Sequence, residues 1–150
     1  MARKSILQFD GFEELLEEIK AADGDTERVI KAAAESGAQA YKQALNAECR
    51  ASGVPSDVIQ EIEKTVTAGK DYASARVGWK MGGYNPENPS AGYKAVFLNY
   101  GTPRRTTKTG ANRGKVTKKG FIANAKRKAR SKIKKAQKEA LENILSRLKK

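Results

Sequence analysis

The side chains that could carry out chemistry are few, and their spacing does not favour catalysis. The 150 residues include no histidine and one cysteine, Cys49, so no Ser-His-Asp set, Cys-His pair or Cys/His metal site can form. Glu13-Glu14 and Glu17-Glu18 are of the type used in general acid–base catalysis. They lie on one predicted helix, which is typical of a solvated acidic face. We therefore expect no enzymatic activity, no metal and no cofactor, and we interpret Cys49 as a half-buried helix residue.

The abundant reactive groups are cations, and they are concentrated near the end of the chain. Residues 101–150 contain 18 of the 30 Lys and Arg residues but only two carboxylates. Of the net charge of +13, this part carries +16 and the first 100 residues carry −3. Concentrated positive charge attracts phosphate polyanions or an acidic protein face, whereas evenly spread charge would only aid solubility.

Residues 101–119 form the first basic segment, which has no carboxylate and almost no apolar side chain. Its composition predicts a long, flexible cationic loop, and unstructured loops of this length are usually functional or disordered. It lacks aromatic residues for base stacking, so contact with DNA would be made to phosphates without sequence selection. The candidate contacts to nucleic acid or to an acidic partner are Arg104, Arg105, Lys108, Arg113, Lys115, Lys118 and Lys119.

Residues 120–148 form the second basic segment, which has the strongest helical periodicity in the chain. Its apolar residues recur at steps of three and four, and this predicts an amphipathic helix of roughly 40 Å. The opposite face has eight cations between Lys126 and Lys138 with no carboxylate among them. They are either solvated or bound to nucleic acid or an acidic surface. Membrane binding is disfavoured because the stripe is rich in alanine and no apolar run approaches the ~20 residues of a membrane span.

The elements that must position these cations are predicted from periodicity. The length predicts a single domain spanning residues 1–150. A short helix begins near Phe12 with Asp10 as N-cap, and a longer helix runs from about Thr26 to Ala51. The stripe of this longer helix is made of small residues that allow close packing, namely Ala33, Gly37, Ala40, Ala44 and Ala47.

The middle of the chain reads as β structure. Residues 63–67 favour a strand, residues 68–71 a turn, and residues 72–79 alternate with a period of two. Residues 93–100 have apolar side chains on both faces, which predicts a strand covered either within the chain or by another subunit. Its candidate subunit-interface residues are Val96, Leu98 and Tyr100. The predicted fold is α+β, with N-terminal helices and a long C-terminal helix packed on a small antiparallel sheet.

Three segments in a fixed order carry a family resemblance. They are residues 75–79 (ARVGW), 93–102 (YKAVFLNYGT) and 120–125 (GFIANA). With the helical part before them, the chain resembles the head–tail joining, or tail-completion, proteins of the neck of long-tailed bacteriophages and prophages. Many relatives have a proline followed by a Thr-Gly-x-Leu element before the first strand, and this chain keeps only Pro55. Its basic loop is also longer than the family requires.

The resemblance implies a virion structural protein without catalysis, assembled in the host cytoplasm and located in the neck. It implies a ring, often of six subunits, in contact with connector and tail-tube or tail-terminator proteins. A ring closes when each subunit presents two different surfaces, for which strand 93–100 and the hairpin near Gly69 are candidates. The basic loop would then face DNA or an acidic neighbouring ring.

Two other classes of function are alternatives to this interpretation. One is a sequence-nonspecific nucleic-acid-binding protein that works outside a virion. The other is an enzyme acting on nucleic acid, which is disfavoured because it needs a metal-binding carboxylate cluster.

Overall fold

The computed structural model describes residues 11–22, 24–69 and 72–150. In this part of the chain the elements are α1 (Phe12–Ala21), α2 (Thr26–Ala51), α3 (Ser56–Gln60), β1 (Glu63–Gly69), β2 (Tyr72–Gly78), α4 (Ala91–Tyr100) and α5 (Phe121–Leu148). The predicted α+β class is confirmed, with a two-stranded antiparallel sheet and a long C-terminal helix packed on it. The proposed N-cap Asp10 and half of the predicted turn at 68–71 lie outside the described residues.

The chain divides into two compact units. The first contains the described residues of Met1–Lys42, Lys64–Val77 and Lys128–Lys150. The second contains Gln43–Glu63 and Gly78–Arg127. Helices α2 and α5 contribute residues to both. The single domain expected from the length stays a prediction.

The core of the first unit is built by three helices. Its buried residues are Ile19, Val29, Ala33, Leu141 and Leu145, and half-buried apolar residues of α1 pack against them. Close packing of the small face of α2 is confirmed at Gly37. A Cβ atom there would lie 2.9 Å from Gln137 Nε2 and 3.1 Å from Ile133 Cγ2.

The small stripe predicted for α2 is wrong farther along the helix. Leu45 and Cys49 are buried there, whereas Ala47 is exposed. The predicted stripe repeats every seven residues, and a straight helix drifts by about 20° per heptad relative to such a repeat. Two heptads give a drift of only about 40°, less than half of the ~100° step between residues, so the change of buried face follows instead from the passage of α2 into the second unit at Gln43.

The alternation predicted for residues 72–79 is followed in part, because Ala75 on the predicted buried face is exposed. Val66 and Ala68 of β1 are half-buried, as are Ala73 and Val77 of β2, while most of the residues between them are exposed. The ranges predicted from sequence, 63–67 and 72–79, agree with β1 and β2.

The predicted strand at residues 93–100 is wrong, because this segment is helix α4. Gly92, Ala95 and Asn99 form its buried face at helical spacing. A short run that is apolar all around cannot be assigned to helix or strand from periodicity. Tyr, Val and Phe in the run favour a strand, and tertiary packing outweighs that preference.

Helix α4 belongs to the core of the second unit, where it contacts α3. Gly92 permits a close approach of backbone to backbone, since a Cβ atom there would lie 2.6 Å from the Lys80 carbonyl oxygen. The buried apolar residues of this unit include Val58, Ile62, Ala95 and Phe121.

Candidate functional site

Residues 102–118, which we call the basic finger, fold back on themselves as a short antiparallel ribbon. Thr102 N donates to Val116 O at 2.9 Å, and an isolated bridge pairs Thr106 with Asn112. Arg113 N donates to Arg105 O at 2.8 Å, and Arg105 N donates to Gly114 O at 2.9 Å. The expected loop therefore has a paired backbone. Its flexibility stays a prediction.

Neutral polar side chains of the basic finger hold its own backbone. The Thr102 hydroxyl accepts from Val116 N at 2.9 Å, and the Thr107 hydroxyl accepts from Ala111 N at 3.0 Å. Asn112 Oδ1 accepts from Gly114 N at 2.8 Å. These oxygens stabilise the turn and the ladder, which leaves the cations as the main outward-facing polar groups of the ribbon.

The structure brings the seven predicted contact residues together on the finger and at its base. All seven are exposed: Arg104, Arg105, Lys108, Arg113, Lys115, Lys118 and Lys119. Two of them also make bonds within the chain. Arg104 Nε donates to Asn112 Oδ1 at 3.4 Å, and Lys119 Nζ donates to Ser52 O at 2.5 Å. Lys119 thus anchors the base of the finger.

The finger is held by a frame in which hydrogen bonds join the end of α4 to the start of α5. Lys119 N donates to Leu98 O, and Gly120 N donates to Asn99 O, both at 3.0 Å. The Asn99 side chain is 3% exposed, and its Oδ1 accepts from Ile122 N at 3.0 Å. Helix ends leave carbonyls and amides without intrahelical partners, so these bonds join the two helices where the finger begins and ends.

An aromatic pair completes the frame. The Trp79 and Phe121 rings meet edge to face, with centroids 6.1 Å apart. Trp79 Nε1 donates to Val58 O at 2.6 Å, and Phe121 is fully buried. The frame residues Asn99, Trp79 and Phe121 were not predicted as a site. The sequence signal that could have found them is an asparagine next to the Tyr-Gly-Thr triplet.

Gly101 sets the direction in which the chain leaves α4. Its φ of 76° and ψ of 175° lie in a region that is essentially restricted to glycine. A Cβ atom there would lie 2.8 Å from Val116 O and 2.9 Å from Lys118 N. The glycine of the Tyr-Gly-Thr triplet is therefore required both by its backbone angles and by the close return strand.

The proposed interface residues Val96, Leu98 and Tyr100 lie on helix α4. Of these three only Tyr100 is an exposed aromatic residue, and other aromatic residues lie near it in the sequence. Tyr100 is 63% exposed, and Val96 and Leu98 are half-buried. On α4, Tyr93 and Phe97 are one turn apart, and Tyr84 from the preceding loop contacts both rings, at centroid distances of 5.0 and 6.4 Å. We call Tyr84, Tyr93, Phe97 and Tyr100 the aromatic patch.

Two carboxylates that line an open groove of the second unit, Asp57 and Glu63, are ion-paired. This open groove, of about 460 Å³, is lined by Asp57, Glu63, Lys80 and Lys94 among others. Lys94 lies 3.3 Å from Asp57, and Lys80 lies 3.2 Å from Glu63. Within the described residues, no group of three or more His, Cys, Asp or Glu is placed to hold a metal ion.

The cations of α5 are not all without acidic neighbours. Lys135 lies 3.9 Å from Glu139, and Lys138 lies 3.8 Å from Glu142, both at i,i+4 spacing. Each such exposed pair contributes only about 0.3–0.5 kcal/mol. Both glutamates lie just beyond the basic run between Lys126 and Lys138, which itself contains no carboxylate.

Cys49 is fully buried, not half-buried as predicted. Burial, with a smaller contribution from the Glu48 charge, raises the pKa of its thiol from 9.0 to about 11. The thiolate is the reactive form, so we expect Cys49 at pH 8 to react with a disulfide reagent about 100-fold more slowly in the folded protein than in urea. Thiol modification followed by absorbance measures this ratio, and equal rates would contradict the assignment.

No protein-family model, curated protein or solved structure matches this chain. In the described part of the chain, every helix is too short or too polar to cross a bilayer.

Proposed function

We propose that this chain is a structural protein of a bacteriophage particle that joins head to tail by assembling with copies of itself. The observation that supports this most directly is the convergence of the resemblance segments on one frame. Trp79, Asn99, Gly101 and Phe121 come from the three segments, and their contacts meet at the base of the basic finger. The residues that carry the resemblance therefore act together, as expected if they serve one shared architecture.

The aromatic patch supports assembly as the mode of action. Tyr84 is 55% exposed and Tyr100 is 63% exposed. Aromatic residues are enriched in the cores of protein interfaces. Tyr72, the first residue of β2, is 61% exposed and offers a second aromatic contact. Two different surfaces per subunit are what a closing head-to-tail ring requires. On this proposal the partners are further copies of the chain and the connector and tail-tube or tail-terminator proteins of the neck.

Complementation between two variants tests this mode of assembly. We expect the wild-type chain to form a closed oligomer in native mass spectrometry, and Tyr100→Asp or Tyr72→Asp alone to fail to close it. Each variant retains the surface that the other has lost. When the two are mixed, one copy of each should pair through these intact surfaces, and no larger oligomer should form. A wild-type chain that stays monomeric at high concentration with connector and tail components present would contradict the proposal.

A second candidate function is sequence-nonspecific binding of nucleic acid outside a virion. The observation that favours it is the basic finger, whose cations are exposed on a ribbon without a carboxylate. The two functions differ in where the protein is found. Incorporation into particles in stoichiometric amounts favours the neck role, and a chain encoded far from any portal, capsid or tail gene favours the alternative.

A further inference from the structure

The geometry points to duplex DNA as the partner of the basic finger. Arg105 and Arg113, one on each arm of the ribbon, would together bind the phosphodiester backbone, and we call this pair the clamp. This inference rests on the proposed function for its setting, a joint next to packaged DNA. Three observations support it: the opposed arginines, the occupied oxygens of the neutral side chains, and the lack of apolar surface for a protein partner.

The two arginines are held opposite each other by the ribbon. Arg113 N donates to Arg105 O at 2.8 Å, and both side chains are exposed. Like charges directly opposite in an antiparallel pair are destabilising, and no carboxylate occurs between residues 101 and 119 to offset them. A bound anion would remove this repulsion. Guanidinium groups match phosphate oxygens with two parallel hydrogen bonds.

The ribbon offers few neutral side chains that could read base sequence. Bases are discriminated by Asn or Gln amides, which pair with adenine, and by Arg or Lys, which pair with guanine. Asn112 is the amide within the finger, and its oxygen already accepts from Gly114 N. The Thr102 and Thr107 hydroxyls accept from backbone amides of the opposite strand. The oxygens of these neutral side chains are thus occupied within the ribbon, and we assign the two arginines to phosphates, so binding should be independent of sequence.

The ribbon also lacks the surface that a protein partner would need. The cores of protein interfaces are depleted of charged residues and enriched in aromatic ones. Residues 102–118 contain no aromatic residue, and Val116 is half-buried against the chain itself. DNA presents about one negative charge per 1.7 Å of its axis. This dense negative charge suits a ribbon whose charged side chains are all cations.

Salt-dependent DNA binding by the full-length chain tests the inference. The probe is a fluorescein-labelled duplex followed by anisotropy between about 50 and 200 mM salt. The plot of log K against log salt has a negative slope, and each lost phosphate contact reduces its magnitude by about 0.9. Arg105→Gln with Arg113→Gln should therefore reduce the magnitude by about 2. The same double variant should weaken binding about 100-fold at the low-salt end. Arg28→Gln with Lys31→Gln on α2 changes net charge equally and should retain the wild-type slope.

Further arms separate the alternatives. Arg105→Lys with Arg113→Lys keeps both charges and should retain the slope. Duplexes of unrelated sequence should bind equally. A slope loss in the lysine variant, a strong preference for one sequence, or better competition by polyglutamate than by unlabelled DNA would overturn the inference. The last outcome would identify an acidic protein as the partner.

Native mass spectrometry of the same variants separates this inference from the proposed assembly. Arg105→Gln with Arg113→Gln should assemble as the wild-type chain does. An assembled variant that binds DNA as tightly as the α2 control overturns the clamp and leaves the assembly standing. A persistently monomeric wild-type chain whose DNA binding is lost in the variant overturns the assembly and supports the clamp.

Discussion

Replacing Phe121 with alanine is expected to destabilise the protein by about 3–5 kcal/mol, the range for large aromatic residues in cores. Phe121 is fully buried, and its ring lies against Trp79. The substitution leaves a cavity at the start of α5, beside the bond from Ile122 N to Asn99 Oδ1. Since domains have total stabilities of about 5–15 kcal/mol, this loss is a large part of the total.

Urea denaturation followed by Trp79 fluorescence measures this loss. Trp79 is the chain's one tryptophan, and it touches the substituted ring, so its emission reports on the frame directly. Ile122→Ala is the matched control, because Ile122 is half-buried and adjacent in sequence. Its cost should be well below that of Phe121→Ala. Equal costs would contradict the central place given to Phe121 in the frame.

Replacing Gly101 with alanine is expected to cost about 3 kcal/mol. Backbone strain in this glycine-only region contributes about 1–3 kcal/mol. A further cost arises because the new methyl group would meet Val116 O at 2.8 Å and Lys118 N at 2.9 Å. Both are backbone atoms, which cannot rotate away as a side chain can. The return strand of the basic finger must therefore move.

Gly110→Ala is the matched control for Gly101. Gly110 also has a positive φ, of 84°, but a Cβ atom there meets nothing within 4 Å. Its cost should be about 1 kcal/mol, the usual penalty for a left-handed residue. The difference in urea midpoint between the two variants measures how much the contact with Val116 and Lys118 adds to the loss of stability. A Gly101 variant as stable as the Gly110 variant would show that the finger's base tolerates a side chain.

The elements predicted well from sequence are those whose periodicity extends over many residues. Helix α2 has the predicted bounds, and α5 begins at Phe121, one residue after the predicted start. In both helices the apolar stripe repeats over several turns. The strands β1 and β2 were predicted from the turn signal at residues 68–71 and the alternation of residues 72–79, although Ala75 on the predicted buried face is exposed. A long amphipathic pattern predicts the type of secondary structure directly, because burial of one face is what stabilises the helix or strand.

Helix α4 and the frame could not be predicted, because their structure depends on contacts between distant parts of the chain. Gly92 is buried by its approach to Lys80, and Asn99 by its bond to Ile122 N. Neither contact leaves a periodic trace in the local sequence. The cations of the finger were identified from charge alone. The pairing that sets Arg105 opposite Arg113 depends on backbone register, which composition does not contain.

The ribbon form of the finger restricts how its length can change over evolution. Successive side chains in a strand point to opposite faces, so a single inserted residue on one side of the tip would turn Arg113 away from Arg105. Equal additions to both arms would keep Arg105 and Arg113 facing each other and would lengthen the basic finger. Descendants of such a chain should therefore differ in finger length by even numbers of residues, added in matched pairs around Gly110.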